Sequence, residues 1–212
     1  MAINMVKLPT QKQDLVLRVA KGHFATSHSH INYYIDVTMQ KTRLSEARAV
    51  ALELVSSYTH TTIVDTILCL DGTEVIGACM ASELTRDGYV NMNAHQTIYV
   101  VTPEHTTGSQ LIFRENTAPM IQNKHVLVLA ASVTTGYTVQ GAVEAIRYYG
   151  GEPAGVTAIF ATVDKCAGYP VASIFDPHDL PDYQSYDAHS CPWCKEGKKI
   201  DALVNSFGYS SL

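Results

Sequence analysis

Residues 126–138 read Val126-Leu127-Val128-Leu129-Ala130-Ala131-Ser132-Val133-Thr134-Thr135-Gly136-Tyr137-Thr138. An apolar run of strand length leads straight into Thr-Thr-Gly-x-Thr. Beyond that turn Val139, Ala142, Val143, Ile146 and Tyr149 recur at helical spacing. A strand, a turn of small polar residues and a helix start together form a phosphate cradle. Backbone N–H groups, hydroxyls and the positive end of the helix dipole converge there. The candidate cradle is Ser132, Val133, Thr134, Thr135, Gly136, Tyr137 and Thr138. An ordinary strand-to-helix turn with a threonine N-cap has the same local pattern.

Outward from this stretch, strands and helices alternate. Gly150-Gly151 ends the helix, and residues 156–163 form a further strand. Upstream, residues 61–70 are largely apolar, the pattern of a strand buried on both faces, and residues 97–101 form another core strand. Asp71-Gly72-Thr73 makes a turn after the first of these, and Val75, Ile76, Cys79 and Met80 begin a helix stripe that reaches about Leu84. Ala47, Val50, Ala51, Leu54 and Val55 define an earlier helix, with Ser45 as its N-cap. Residues 32–37 are aromatic and β-branched and predict a strand, whereas residues 14–20 predict a short helical lead. Residues 102–123 are polar and irregular, a loop with room for a hairpin. The expected fold is α/β, a mostly parallel sheet flanked by helices, with right-handed crossovers. Its ligands bind at the carboxyl ends of the strands, where the turn at Asp71 and the turn at residues 132–138 both lie. The chain is expected to be one domain over residues 1–212, with a core at 41–175. Residues 1–40 and 176–212 are expected to add a small irregular hood.

The chain has 212 residues, 46% of them hydrophobic, and a net charge of −5. That balance supports a core. No basic run or face suggests nucleic-acid binding, and no apolar run approaches the roughly 20 residues of a membrane helix. The first 17 residues lack a signal-peptide core. Five cysteines, an odd number, fit a reducing compartment, and the expected location is cytoplasmic.

Cys191 and Cys194 have metal-ligand spacing but supply two of the four ligands that structural zinc needs. His178, His189 or another chain would have to complete the set. His23, His28 and His30 cluster in sequence, and their alternation predicts a surface loop rather than a metal site. Tyr33 and Tyr34 fit either base stacking or core packing.

Several segments, in order, resemble orotate phosphoribosyltransferases of the type I phosphoribosyltransferase family. Gly22-His23-Phe24, Ser27 and Tyr33-Tyr34-Ile35-Asp36 resemble that family's N-terminal segment, with His28 where its pattern has glycine. Residues 70–74 fall at its first phosphate loop, and residues 126–138 cover its phosphoribosyl pyrophosphate (PRPP) signature. Cys191-Pro192-Trp193-Cys194-Lys195-Glu196-Gly197 resembles a C-terminal stretch of many members. The resemblance spans roughly residues 14–197.

It implies a 5′-phosphoribosyl ligand on residues 132–138 and pyrophosphate near Asp71, Gly72, Thr73 and Glu74. It also implies a base pocket involving Tyr33, Tyr34 and Lys165, a homodimer, and Mg²⁺ if the chain is active. Two features of the family's chemistry are missing. An acidic pair that holds the ribose hydroxyls is replaced by Ala130 and Ala131, and the mobile loop has no cation. Residues 87–113 contain neither Lys nor Arg, so that loop cannot offset charge on the leaving pyrophosphate. His105 and Asp164 are the remaining catalytic candidates. The site is either lost or rebuilt with Ser132 and Asp164. Three functions remain open. One is a phosphoribosyl-ligand-binding protein with impaired or absent glycosyl transfer. Another is an active transferase in pyrimidine nucleotide (UMP) synthesis, and the third is a structural or regulatory subunit.

Overall fold

A computed structural model of the chain describes residues 3–8, 15–86, 91–94, 96–108 and 110–212. Two compact units result: a central one, Gln40–Asp176, and a discontinuous one, Met1–Met39 with Pro177–Leu212.

The central unit carries a six-stranded sheet. Its order is Lys165–Cys166, Tyr169–Phe175, Glu152–Ala161, His125–Val133, Thr66–Cys69 and Tyr99–Val101. All neighbours are parallel except the terminal hairpin at Lys165–Cys166. Every residue of Thr66–Cys69 is buried, because helices cover both faces of a parallel sheet. The helices Leu44–Val55, Glu74–Leu84 and Tyr137–Tyr148 bury the stripes expected of them, among them Val50 and Leu54, Ile76 and Met80, and Val143 and Ile146.

The strand order places the candidate site. From Thr66–Cys69 the chain moves one way, to Tyr99–Val101, and then returns to the other side as His125–Val133. Strand order therefore reverses between Thr66–Cys69 and His125–Val133. In open α/β sheets a ligand crevice opens at such a point, beyond the carboxyl ends of the two strands.

Several local expectations need correction. The helical lead over residues 14–20 is instead part of the strand Leu17–Ala25, Asp14 lying outside the described residues. Ser45 does not cap its helix: Arg43 occupies the N-cap position and makes no side-chain capping bond. The strand expected over residues 61–70 is only Thr66–Cys69. Before it, the hydroxyls of Thr59 and Thr61 bond back to the carbonyls of Val55 and Ser57 and hold a turn. Residues 102–123 do contain a hairpin, Glu104–His105 with Leu111–Ile112. Ser109 of that loop lies outside the described residues.

The discontinuous unit is a second six-stranded sheet. Ser185–Asp187, Ser29–Asp36, Leu17–Ala25, Ala202–Asn205 and Gly208–Ser211 lie in that order, and Val6–Leu8 pairs with Leu17–Ala25. The tail is thus not irregular, since it contributes three of these strands. Ala20, Phe24, Ile31, Tyr34, Ala202 and Val204 form an apolar cluster of this unit. His28 does not prevent a tight turn: Thr26 Oγ1 accepts from the Ser29 N–H at 2.9 Å, and the Thr26 N–H donates to the Ser29 carbonyl at 2.8 Å. Among the described residues, no helix is long and apolar enough to cross a membrane.

One pair of hydrogen bonds ties the amino ends of two central strands. Asp65 Oδ2 accepts from the backbone N–H and the ring Nδ1 of His125, both at 2.8 Å. Partial burial pushes the Asp65 carboxyl up, but these bonds and the His125 charge outweigh it and hold the group below its usual value. A carboxyl depressed by folding stabilises above its unfolded pKa, about 3.9, and loses that contribution as pH falls through the folded value. We expect Asp65→Asn to lower the urea midpoint at pH 7 and to flatten its decline below about pH 4. An acid limb identical to that of the parent would refute this account of the bond.

Candidate phosphoribosyl site

The turn after His125–Val133 is built by backbone geometry. Gly136 sits at the N-cap of Tyr137–Tyr148 with φ of 78°, a left-handed conformation that favours glycine. A side chain there is also blocked, since a Cβ would lie 2.6 Å from Cys166 Sγ. The Cys166 thiol donates to the Gly136 carbonyl at 3.5 Å, and Thr162 Oγ1 donates to the Thr134 carbonyl at 3.0 Å. These contacts hold the loop from its carbonyl side. Thr135, Tyr137 and Thr138 are exposed, and the first-turn N–H groups have no intrahelical acceptors. Ser132 and Val133 were expected in the turn, but both lie in the strand, paired with Phe160 and Ala161. Ser132 is exposed and Val133 buried.

Across the crevice lies the turn after Thr66–Cys69. Asp71 and Gly72 both have positive φ, 60° and 74°. The Thr73 N–H closes the turn on the Leu70 carbonyl at 3.2 Å, and Thr73 Oγ1 donates to the same carbonyl at 2.7 Å. Consecutive left-handed residues suit Asp-Gly, whose first side chain can bond locally. Asp71 Oδ2 accepts from the Ala131 N–H at 3.4 Å, which spans the point where strand order reverses. Glu74 Oε1 accepts from Thr102 Oγ1 at 3.0 Å.

Lys41 was missed in the sequence. It is 6% exposed, and its Nζ donates to the Asp71 carbonyl at 2.6 Å. The first loop therefore has a buried cation from the short helix Thr38–Thr42. Cys69, at the end of its strand, is no nucleophile. Burial first, and the Glu74 charge second, push its thiol up to about 12.

Ala130 and Ala131 are each 1% exposed. Neither offers an acceptor, and Ala130 belongs to the apolar cluster of Leu68, Val128, Val143 and Ala158. Asp164 and Lys165 are exposed beside Cys166, whose thiol bonds to the Gly136 carbonyl, so this pair lies near the turn at Gly136. His105 is exposed in the hairpin over residues 104–112. Arg114, just past that hairpin, pairs with Glu104 at 2.7 Å. Tyr33 and Tyr34 lie in the discontinuous unit and are buried. The Lys21 Nζ lies 5.5 Å from the Tyr33 ring centre, and Tyr34 packs on Phe24 and Tyr209. Burial, with Asp36 and Tyr209 adding to it, pushes the Tyr34 hydroxyl up to about 12.

No protein-family profile matches the sequence. Solved structures do resemble the fold. Orotate phosphoribosyltransferase of Mycobacterium tuberculosis superposes with a TM-score of 0.54 at 18% identity, over 78% of this chain and 93% of that one. Adenine phosphoribosyltransferase of Trypanosoma brucei, in complex with AMP, pyrophosphate and ribose-5-phosphate, gives 0.55 at 14%, over 86% and 90%. UMP synthase of Leishmania donovani gives 0.55 at 20% over 84% of this chain, which spans only 36% of that larger protein. The chain has the type I phosphoribosyltransferase fold.

Proposed function

We propose that this protein binds a 5′-phosphoribosyl ligand, either PRPP or a nucleoside monophosphate, on the loop at residues 134–138, and transfers its ribosyl group feebly or not at all. The observation that carries the second half is the buried pair Ala130 and Ala131, which leaves the strand end beside the loop without a ribose acceptor. Glycosyl transfer depends on holding the sugar and neutralising the leaving pyrophosphate. The hairpin expected to serve the second task carries no Lys or Arg, and Arg114 just beyond it pairs with Glu104. By the sequence resemblance, the protein acts as a cytoplasmic homodimer.

The first loop does not suit a Mg²⁺ site of the chain's own. Asp71 is bonded to the Ala131 N–H, Glu74 to Thr102, and the Lys41 ammonium lies against the same turn. A cation there favours an anionic ligand group over a second cation. One observation favours an active enzyme with a rebuilt site instead. The Asp71 carboxylate reaches the backbone of Ala131, and so supplies an acid near the place of the missing pair.

Calorimetric titration with PRPP, UMP and inorganic phosphate, each with and without Mg²⁺, tests the reading. Micromolar binding of PRPP or UMP is expected, with no turnover when orotate is added. Turnover would favour the rebuilt enzyme, and silence from all three ligands would sink both readings.

A further inference from the structure

We propose that the discontinuous unit holds a structural zinc ion on His23, His30, Cys191 and Cys194. The ligand atoms of these four side chains all lie within 4.8 Å of one another. His23 Nε2 is 3.1 Å from His30 Nδ1 and 3.6 Å from Cys191 Sγ. Cys194 Sγ is 3.8 Å from His23 Nε2 and 3.3 Å from His30 Nδ1. A tetrahedral zinc site has bonds of about 2.3 Å to sulfur and 2.0–2.1 Å to nitrogen. Its edges are therefore roughly 3.3 Å between nitrogens and 3.6 Å between nitrogen and sulfur. The nitrogen–nitrogen separation of 3.1 Å lies just under its value, and the nitrogen–sulfur separations of 3.6, 3.8 and 3.3 Å bracket theirs. Two thiolates and two imidazoles form a set that selects zinc among the common divalent ions, and two thiolate charges balance it.

The surroundings orient the donors. The other ring nitrogen of His23, Nδ1, lies 3.1 Å from the carbonyls of both Lys198 and Lys199. A proton held there leaves the Nε2 lone pair facing the cluster, as outer partners do for metal-bound histidines. The His23 N–H donates to Asp201 Oδ2 at 2.7 Å, which fixes the strand at that point. Cys191 is the N-cap of the short helix Pro192–Lys195, so one turn presents both sulfurs to the same side. The Trp193 ring stands edge-on to the His23 ring with centroids 5.3 Å apart, and Tyr186 packs against it. His23, His30 and Cys191 are buried, while Cys194 is exposed and leaves an entry path. Four protein ligands close the coordination sphere, so the ion is a staple and not a catalyst. Its place is apt, because it would join two distant segments of the chain within one sheet. This corrects the surface-loop reading of the histidines: His28 is exposed, but His23 and His30 are not.

The full chain, purified without chelator, is expected to carry about one zinc per molecule. After removal of zinc, Co²⁺ should give the visible absorption of a tetrahedral thiolate site. It should also quench Trp193, the single tryptophan of the chain, which reports from beside His23 in unmutated protein. Cys194→Ser should lower zinc occupancy at least tenfold, and Cys79→Ser, in a helix of the central unit, should leave it unchanged. Three results would overturn the proposal. One is metal-free protein that also gives no cobalt spectrum. Another is a cobalt spectrum and quenching untouched by Cys194→Ser. The third is a mass deficit of two hydrogens on the peptide spanning Cys191 and Cys194, which marks a disulfide in their place.

Discussion

Gly136→Val is expected to weaken binding of PRPP or UMP at least tenfold, the equivalent of about 1.4 kcal/mol. Two separate costs fall on one position. A φ of 78° is open to glycine but penalises an L-residue by roughly 1–2 kcal/mol, and more for a β-branched one. The new Cβ would also lie 2.6 Å from Cys166 Sγ, closer than any real contact. The loop must move, and its N–H groups move with it. Thermal unfolding should report a loss of roughly 2–3 kcal/mol from strain and overpacking together. Cys166→Ala in the same chain separates the two, since it removes the clash and leaves the dihedral strain. The double variant should regain part of the stability and little of the affinity. Parent-like binding by Gly136→Val would mean that the ligand does not sit on this loop.

Ala130→Asp, half of the obvious repair of the ribose-binding pair, is expected to destabilise the fold rather than restore activity. The Ala130 side chain is 1% exposed amid Leu68, Val128, Val143 and Ala158. An ionised carboxylate there costs on the order of 3 kcal/mol or more. Burial would raise the carboxyl's folded pKa above its unfolded value. The penalty is then absent at low pH, where the group is neutral in both states, and grows as pH rises above about 4. Urea midpoints at pH 5 and pH 8 should diverge for the variant more than for the parent. Adding Ala131→Asp places a second carboxylate beside the Asp71 carboxylate that already faces that backbone, and like charges there add to the cost. A folded double variant that converts orotate and PRPP would show that the alanines alone silence the site.

What was legible in the sequence was what is local. The stretch over residues 126–138 carries its strand, turn and helix start within thirteen positions, so periodicity and turn chemistry suffice. The strand's reach to Val133 was missed, because Ala130 and Ala131 declare no preference alone and become strand by pairing with Glu152–Ala161. Residues 14–20 misled for a related reason: Leu15, Leu17, Arg18 and Ala20 favour helices, and residues 17–20 become strand by pairing with Ser29–Asp36. Lys41 sits in a five-residue helix, too short for any periodic signal. The histidine–cysteine cluster was hidden by distance along the chain, since Cys191 meets His23 across 168 positions. Likewise, the crevice between Thr66–Cys69 and His125–Val133 follows from strand order, which no local pattern encodes.

The discontinuous sheet has a consequence for the order in which the chain can be made. Leu17–Ala25 gains its parallel neighbour only from Ala202–Asn205, and Ser29–Asp36 gains its outer neighbour only from Ser185–Asp187. During synthesis at roughly 5–20 residues per second, the entire central unit leaves the ribosome before either partner exists. Throughout that interval the Ser29–Asp36 edge is unpaired and the Leu17–Ala25 edge is covered only by Val6–Leu8, a form that invites pairing with other chains. The protein's exposure to misassembly is therefore concentrated in its first strands and ends with the arrival of its last ones.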